Sequence, residues 1–451
     1  MIKIYISNKD AVMETDDDKL LKALSKKYRA RMPGYEYAQA YKQHRWDGYK
    51  YFFNEETGKF GAGLSKYITD DLDYLGLTYT VEDSRFTASS RPFSPPGVTL
   101  RAYQTALIDK VLERRGSIVQ APTGSGKTLV LAGILNSLSD MRGLIFFTKK
   151  QLLYQTYEYL TSLGFDVGRV CGDGTDIKPI TLCTIQSVSK IIDSHVQTAE
   201  FIIFDEVHEF SMGKLTTAAL KSFPFAEYRI GMTATVPKDK YKKLNLVSNL
   251  GPVLDDVSTE ELMALGFLTP PTINLIKIEN KLTLADMELT YPETYDKFIV
   301  FNDKRNRTVL KIIEKIQAEN ASSKTLILVK DLKHVKILKE LYPLALTIEG
   351  ADIITDRQAQ IDKFVSQTHG VIIGTVVMQT GIDIPEITHY INARGLKSEI
   401  ATIQAMGRSL RVHHTKTDVY IYDFLDEGPY IGQHAKKRAI MYKSHGFTVL
   451  K

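Results

Sequence analysis

Twice along this chain, short apolar runs alternate with stretches of helical period, and this repeated grammar restricts the fold more than any other feature. In the first instance the runs fall at 117–120, 144–148, 180–184, 201–204 and 229–232. In the second they fall at 325–329, 345–348, 371–374, 389–392 and 419–422, with a helical stretch such as 357–365 between. Short apolar runs of this kind suit strands buried on both faces, the condition of a parallel sheet covered by helices on each side. The pattern predicts an α/β protein with two doubly wound parallel-sheet domains in tandem, 98–256 and 257–451, joined between residues 251 and 271.

A chain of 451 residues exceeds what one core usually serves, and a third block with a different grammar precedes the pair. Over residues 1–90 the pattern predicts a strand at 2–6 and a helix at 19–29. Asp16, Asp17 and Asp18 stand where acids favour a helix start. Strands at 49–53 and 78–81 and a turn at 55–58 complete a small α+β domain. Three prolines and three serines in 89–97 disfavour a packed element, so 91–97 reads as a linker.

Composition excludes more than it selects. A net charge of +5 permits a polyanionic partner but suits a mildly basic soluble enzyme equally well. Cys171 and Cys183 are the only cysteines, which excludes a disulfide framework or a cysteine-rich zinc module and fits a reducing cytoplasm. No apolar run approaches the ~18 residues of a membrane span, and the opening Met1-Ile-Lys-Ile-Tyr is strand-like rather than a signal peptide. The expected location is the cytoplasm.

The chemistry concentrates in contiguous peptides. Ala121-Pro-Thr123-Gly124-Ser125-Gly126-Lys127-Thr128 sits between a predicted strand and a predicted helix, the context a phosphate-binding loop requires. Gly124 and Gly126 allow close backbone approach to ATP, Lys127 reaches the β- and γ-phosphates, and the Thr128 hydroxyl ligates Mg2+. Ala121 departs from the leading glycine of the strict pattern. Asp205-Glu206-Val-His208 ends a buried strand; Asp205 is the expected magnesium partner, and Glu206 the residue that orients and deprotonates the attacking water. His208 either couples the nucleotide to its surroundings or packs, and Thr233-Ala-Thr235 offers hydroxyls that link the acid pair to a strand groove. In the second domain Thr375 closes a strand and is expected to touch a phosphate of the track, while Gly381 and Asp383 approach the nucleotide. Arg408 and Arg411, in Gln404-Ala-Met-Gly407-Arg-Ser-Leu-Arg, are expected on one helical face, pointing at the γ-phosphate across a cleft. Such arginines contribute about 10³–10⁵ in rate.

The order of these segments resembles superfamily 2 helicases with two RecA-like domains. That resemblance implies that Arg101-Ala-Tyr103-Gln104 lies on the adenine side, with Gln104 reading the base. It also implies that Thr148-Lys149-Lys150 and Thr184-Ile-Gln186-Ser187 grip a strand's phosphates. Gln404 and His208 both depart from the DEAD-box RNA helicases. In the first block His44-Arg-Trp46-Asp-Gly-Tyr49-Lys50, Gly58-Lys-Phe60 and Gly63-Leu64 look like the amino-terminal domain of phage UvsW-type recombination helicases. The tail, His434-Ala-Lys-Lys-Arg438 with Tyr442, looks like the same group. Trp46, among Arg45, Tyr49, Lys50 and Tyr51, suits either the small domain's core or a DNA contact. The expectation is an ATP- and Mg2+-dependent DNA helicase or translocase acting on branched or forked DNA. It would be able to work as a monomer, alongside replication or recombination proteins. Rival readings are an RNA helicase, the motor subunit of a restriction complex, and an ATP-gated DNA clamp.

Overall fold

The computed structural model of the chain describes every residue except 86–90, 94, 96–97, 192–197, 256, 321, 350–353, 376–383, 415 and 451, and the side chains of 354, 355, 357 and 400. It divides into two compact units, Met1–Ala121 with Gly126–Val257, and Ser258–Lys451 with Pro122–Ser125.

The first unit is built on an eight-stranded sheet. Its order is Gly174–Asp176, Val167–Cys171, Ile180–Thr184, Gly143–Phe147, Phe201–Asp205, Tyr228–Thr233, Gly116–Gln120 and Val253–Leu254. Every neighbouring pair is parallel except the first. Alternate residues of a strand point to opposite faces, and each face has its own core. Ile145, Phe147 and Ile203 join Ile108, Leu131 and Leu153 of the helices Ala102–Arg114, Lys127–Ser137 and Lys150–Ser162. Leu144, Phe146 and Phe204 join Leu246 of the helix Lys240–Leu250 on the other side. Because the strands run parallel, their carboxyl ends line one edge, and every motif of this unit that the sequence singled out beyond residue 120 emerges there.

The amino-terminal block has a four-stranded sheet in the order Lys59–Gly61, Asp10–Glu14, Ile2–Ile6 and Tyr79–Asp83, with helices Asp18–Lys27 and Ser65–Tyr74. Asp17 caps the first helix, its carboxylate accepting from the Leu20 N–H at 3.0 Å. The block is continuous with the eight-stranded sheet: Ile4, Phe53, Ile68 and Leu72 belong to the same buried cluster as Leu144, Phe204 and Leu246. Gly61 and Gly63 explain the closeness, since a Cβ there would lie 2.1 Å from the Ser248 carbonyl oxygen and 2.0 Å from that of Val247. Of the predicted linker, Arg91 donates its N–H to Ser137 Oγ at 3.2 Å and Phe93 packs on the sheet's helical layer; residues 94, 96 and 97 lie outside the described residues.

The second unit holds a seven-stranded, wholly parallel sheet. Its order is Leu346–Ile348, Gly370–Gly374, Lys324–Leu328, His389–Asn392, Val419–Asp426, Pro271–Ile278 and Thr448–Leu450. Helices Asp303–Glu319, Leu332–Leu341, Ile354–Ser366, Glu399–Gly407 and Ile431–Ser444 alternate with the strands. Both sheets are of the doubly wound type that the repeated pattern predicts, and of the RecA-like form that the resemblance implies.

Candidate active site and strand-binding edge

The phosphate loop leaves Gly116–Gln120 and enters the helix Lys127–Ser137 through two left-handed residues, Gly124 at φ +88° and Gly126 at φ +78°. Any other residue at those angles is strained. At Gly126 a Cβ would also fall 2.6 Å from Gln104 Nε2. Gln104 is thus buried against the loop, with its Oε1 accepting from the Arg101 N–H at 2.9 Å. Lys127 folds back, its ammonium donating to the Ala121 carbonyl at 3.1 Å. Thr128 stands exposed in the first turn of the helix, where unpaired amides favour anions.

Two strands away in the sheet, Asp205 ends its strand and Glu206 takes a left-handed conformation, φ 47° and ψ 51°, before the short 3-10 helix Val207–Ser211. A non-glycine residue in that region stores strain of the kind found at functional sites. Burial, reinforced by Glu206, pushes the Asp205 carboxyl up to about 7, against the pull of Lys127. Burial acts on Glu206 in the same direction, but its hydrogen bond with His208 and the Lys127 charge prevail and hold it below its ordinary value.

His208 is half-buried and makes polar contacts with its neighbours instead of joining a buried apolar cluster. Its Nδ1 lies 3.4 Å from Glu206 Oε2 and 2.9 Å from Thr233 Oγ1. The Thr233 hydroxyl in turn donates to the Thr235 carbonyl at 3.1 Å, and its oxygen accepts from the Thr235 N–H at 3.2 Å. A polar path therefore runs from the acid pair into the Thr233-Ala-Thr235 peptide.

Further along the same edge stand the residues expected to grip a strand. Lys149 Nζ donates to Glu209 Oε1 at 2.9 Å, and the Thr148 hydroxyl donates to the same carboxylate. Lys150 pairs with Asp173 at the start of its helix. Gln186 donates to the Thr148 carbonyl at 3.3 Å. Thr184 departs from its expected role: it is buried, and its hydroxyl donates to Ser187 Oγ at 3.0 Å, which fixes the turn instead of facing a ligand. Glu209 escaped sequence reading, and the only available signal was its place one turn beyond Glu206.

In the amino-terminal block Trp46 lies outside the buried cluster. Its indole N–H donates to the Tyr49 carbonyl at 2.7 Å, and its half-buried ring helps line a surface cavity of about 430 Å³ with Tyr41, Lys42 and Arg45. Lys50, grouped with Trp46 as a cation for phosphates, is instead absorbed by packing. Its ammonium donates to Asn245 Oδ1 at 2.8 Å, and burial brings it down to about 8.

In the second unit Thr375 follows the strand Gly370–Gly374 and is buried, 7 % exposed. Gly381 and Asp383 lie outside the described residues. The helix Glu399–Gly407 carries Gln404 but stops short of both arginines, so they do not share a helical face. Arg408 caps the helix, a turn follows, and Arg411 N–H reaches the Arg408 carbonyl at 3.4 Å. A β-bridge to Leu268 then holds Arg411 in place.

Residues 97–238 match the family model described as the Type III restriction enzyme res subunit, and residues 304–413 match the helicase conserved C-terminal domain. Together with the loop and acid-pair geometry, these matches make the chain similar to the superfamily 2 helicases across both of its doubly wound domains. It is 23% identical to the DNA 3'-5' translocase XPB2 of Sulfurisphaera tokodaii over 80% of this chain and 89% of that protein. It is 24% identical to the ATP-dependent DNA helicase uvsW of Enterobacteria phage T4 over 72% of this chain and 68% of that protein. Among solved structures, a fragment of an HsdR subunit of a type I restriction enzyme from Vibrio vulnificus YJ016 shares the fold. Its TM-score is 0.57 and its identity 18%, over 77% of this chain and 66% of that one. Among the described residues no helix is long and apolar enough to cross a membrane.

Proposed function

We propose that the chain is an ATP-driven DNA motor that remodels branched DNA, by fork regression or branch migration, in replication, recombination or repair. The observation that carries this reading is the succession along one sheet edge. Gln186 and Thr148-Lys149 stand toward one end, Asp205-Glu206 and Thr233 in the middle, and the phosphate loop beyond them. A strand held through its phosphates by Lys149, Lys150 and Gln186 lies beside the carboxylate that activates water, and the contacts of Glu206, His208 and Thr233 give the two events a common structure.

In this reading Lys127 holds the transferring phosphate and Glu206 orients and deprotonates the water. Arg408 and Arg411 spread the developing charge, and Gln104 with Thr123 and Ser125 positions the nucleotide. Asp205 and Thr128 are the residues that would hold magnesium. Their hard oxygen donors suit it, and a divalent cation relieves the cost of ionising a carboxyl that burial has raised. When bound, the ion supplies charge neutralisation to the phosphates. Thr375 and Trp46 are assigned further contacts with the nucleic acid.

A second reading, the motor of a restriction complex, has the match over residues 97–238 in its favour and predicts dependence on a nuclease partner. The test is ATPase stimulation by single-stranded, duplex, forked, four-way and RNA-containing ligands at several salt concentrations, because phosphate-dominated binding changes steeply with salt. Forked and four-way DNA are expected to stimulate most. Stimulation by RNA above that by any DNA overturns the proposal, and a chain that hydrolyses but moves no strand is a clamp.

A further inference from the structure

Thr148 and Lys149 share one carboxylate, that of Glu209, and Glu209 belongs to the hydrolytic turn. It lies in the short helix Val207–Ser211, and its N–H donates to the Glu206 carbonyl at 2.9 Å. The side chains of Lys149 and Glu209 are 43% and 27% exposed, so an incoming anion can reach the pair. A carboxylate offers an ammonium and a hydroxyl what a phosphodiester offers, two anionic oxygens that accept hydrogen bonds. Exposed ion pairs are weak, so one anion can exchange for another at modest cost.

We infer that Glu209 occupies the place of a strand phosphate on Thr148 and Lys149 when no strand is bound, and that its displacement by DNA is how strand binding is felt at Glu206. Glu209 is on this account a positioning residue. While it holds Lys149, that cation is neutralised and the Glu206 turn is tethered to the track. When a phosphate takes its place, the turn is released from the track side and Glu206, strained in its left-handed conformation, is free to adjust. The inference rests on the proposed assignment of Thr148 and Lys149 to the strand.

The test uses the full chain, Glu209→Gln and Lys149→Ala, with an oligonucleotide of single-stranded DNA at fixed salt as the probe. Affinity is read by fluorescence anisotropy, and ATP turnover is measured with and without the DNA. Glu209→Gln is expected to bind about two- to fivefold tighter, to hydrolyse ATP faster without DNA, and to show a smaller stimulation ratio. Unchanged or weaker binding overturns the inference, as does a parallel fall in both rates, which marks a purely structural role. Lys149→Ala separates the two layers. If it weakens binding while Glu209→Gln is neutral, only this inference falls. If it leaves binding intact, the strand assignment falls and takes the inference with it.

Discussion

Asp205 and Asp423 both sit in parallel strands of helix-covered sheets, yet their surroundings treat them in opposite ways. Asp423, in the second unit, is 1 % exposed, but Arg438 donates to its carboxylate from two nitrogens at 2.8 and 2.9 Å, Tyr442 at 2.6 Å and Asn392 at 3.0 Å. Burial alone would raise it; the Arg438 charge and the hydrogen bonds win and hold it below its usual value. Asp205, in the first unit, meets burial and a second carboxylate together, and Lys127 does not compensate. A fully paired buried charge specifies a fold, whereas a raised carboxyl at a sheet edge is poised for a ligand. The tail peptide that looked like a family signature owes its arginine to the first kind of site.

The largest effects should come from breaking the edge. Glu206→Gln should lower ATP turnover by about 10²–10⁴-fold, and Lys127→Ala should abolish it, while thermal unfolding of both stays at the wild-type temperature. Asp205→Asn should likewise lose turnover but keep or raise stability, because it removes a carboxyl that burial and Glu206 disfavour. Arg438→Met is the opposite case. Leaving Asp423 buried and unpaired should cost about 3–5 kcal/mol, read as an earlier urea transition. Equal stability of Arg438→Met and Asp205→Asn would erase the distinction between the two aspartates.

Sequence legibility divides along the same line. The loop 121–128 and the pair Asp205-Glu206 were readable because their chemistry lies in contiguous peptides at predicted strand ends. The strands Ile2–Ile6 and Ile180–Thr184 match their predicted bounds. Pro271–Ile278 was hidden by its opening proline and by alternating burial, which does not read as a doubly covered strand. Asp10–Glu14 was hidden by the acids at its two ends. Contacts distant in sequence left no trace: Lys149 meets Glu209 sixty residues away, and Lys50 meets Asn245 across 195. The same limit misplaced Thr184, whose burial depends on its partner Ser187, and the arginine pair, because a helix end after Gly407 is not written in a three-residue spacing.

Acid should also separate the units. Burial, with Arg305 nearby, pushes His334 down to about 3, and burial pushes His389 down to about 4. Below an unfolded value near 6.5 the unfolded chain takes up protons that these folded histidines refuse, so the second unit loses stability as pH falls. The loss at pH 5 is on the order of 2 kcal/mol for each histidine. In the first unit the raised Asp205 acts in the reverse sense, gaining stability as pH falls below 7, and the lowered Glu206 opposes it only once pH falls below the ordinary carboxylate range. Urea titrations at pH 7 and pH 5 should show the second unit's transition moving earlier, and a pH-independent transition contradicts these assignments. The smallest effect belongs to a single proposed phosphate contact: Lys149→Ala should reduce the slope of log affinity against log salt by about one.

The most direct measurement is ATP turnover of the intact chain titrated with forked DNA, beside Thr233→Val, which cuts the hydroxyl from His208 and leaves the phosphate loop and acid pair in place. Turnover should climb with DNA in the wild type and lose most of that climb in the variant. A wild-type rate indifferent to DNA, or a Thr233→Val enzyme stimulated as fully as the wild type, would contradict a single sheet edge that joins strand to phosphate.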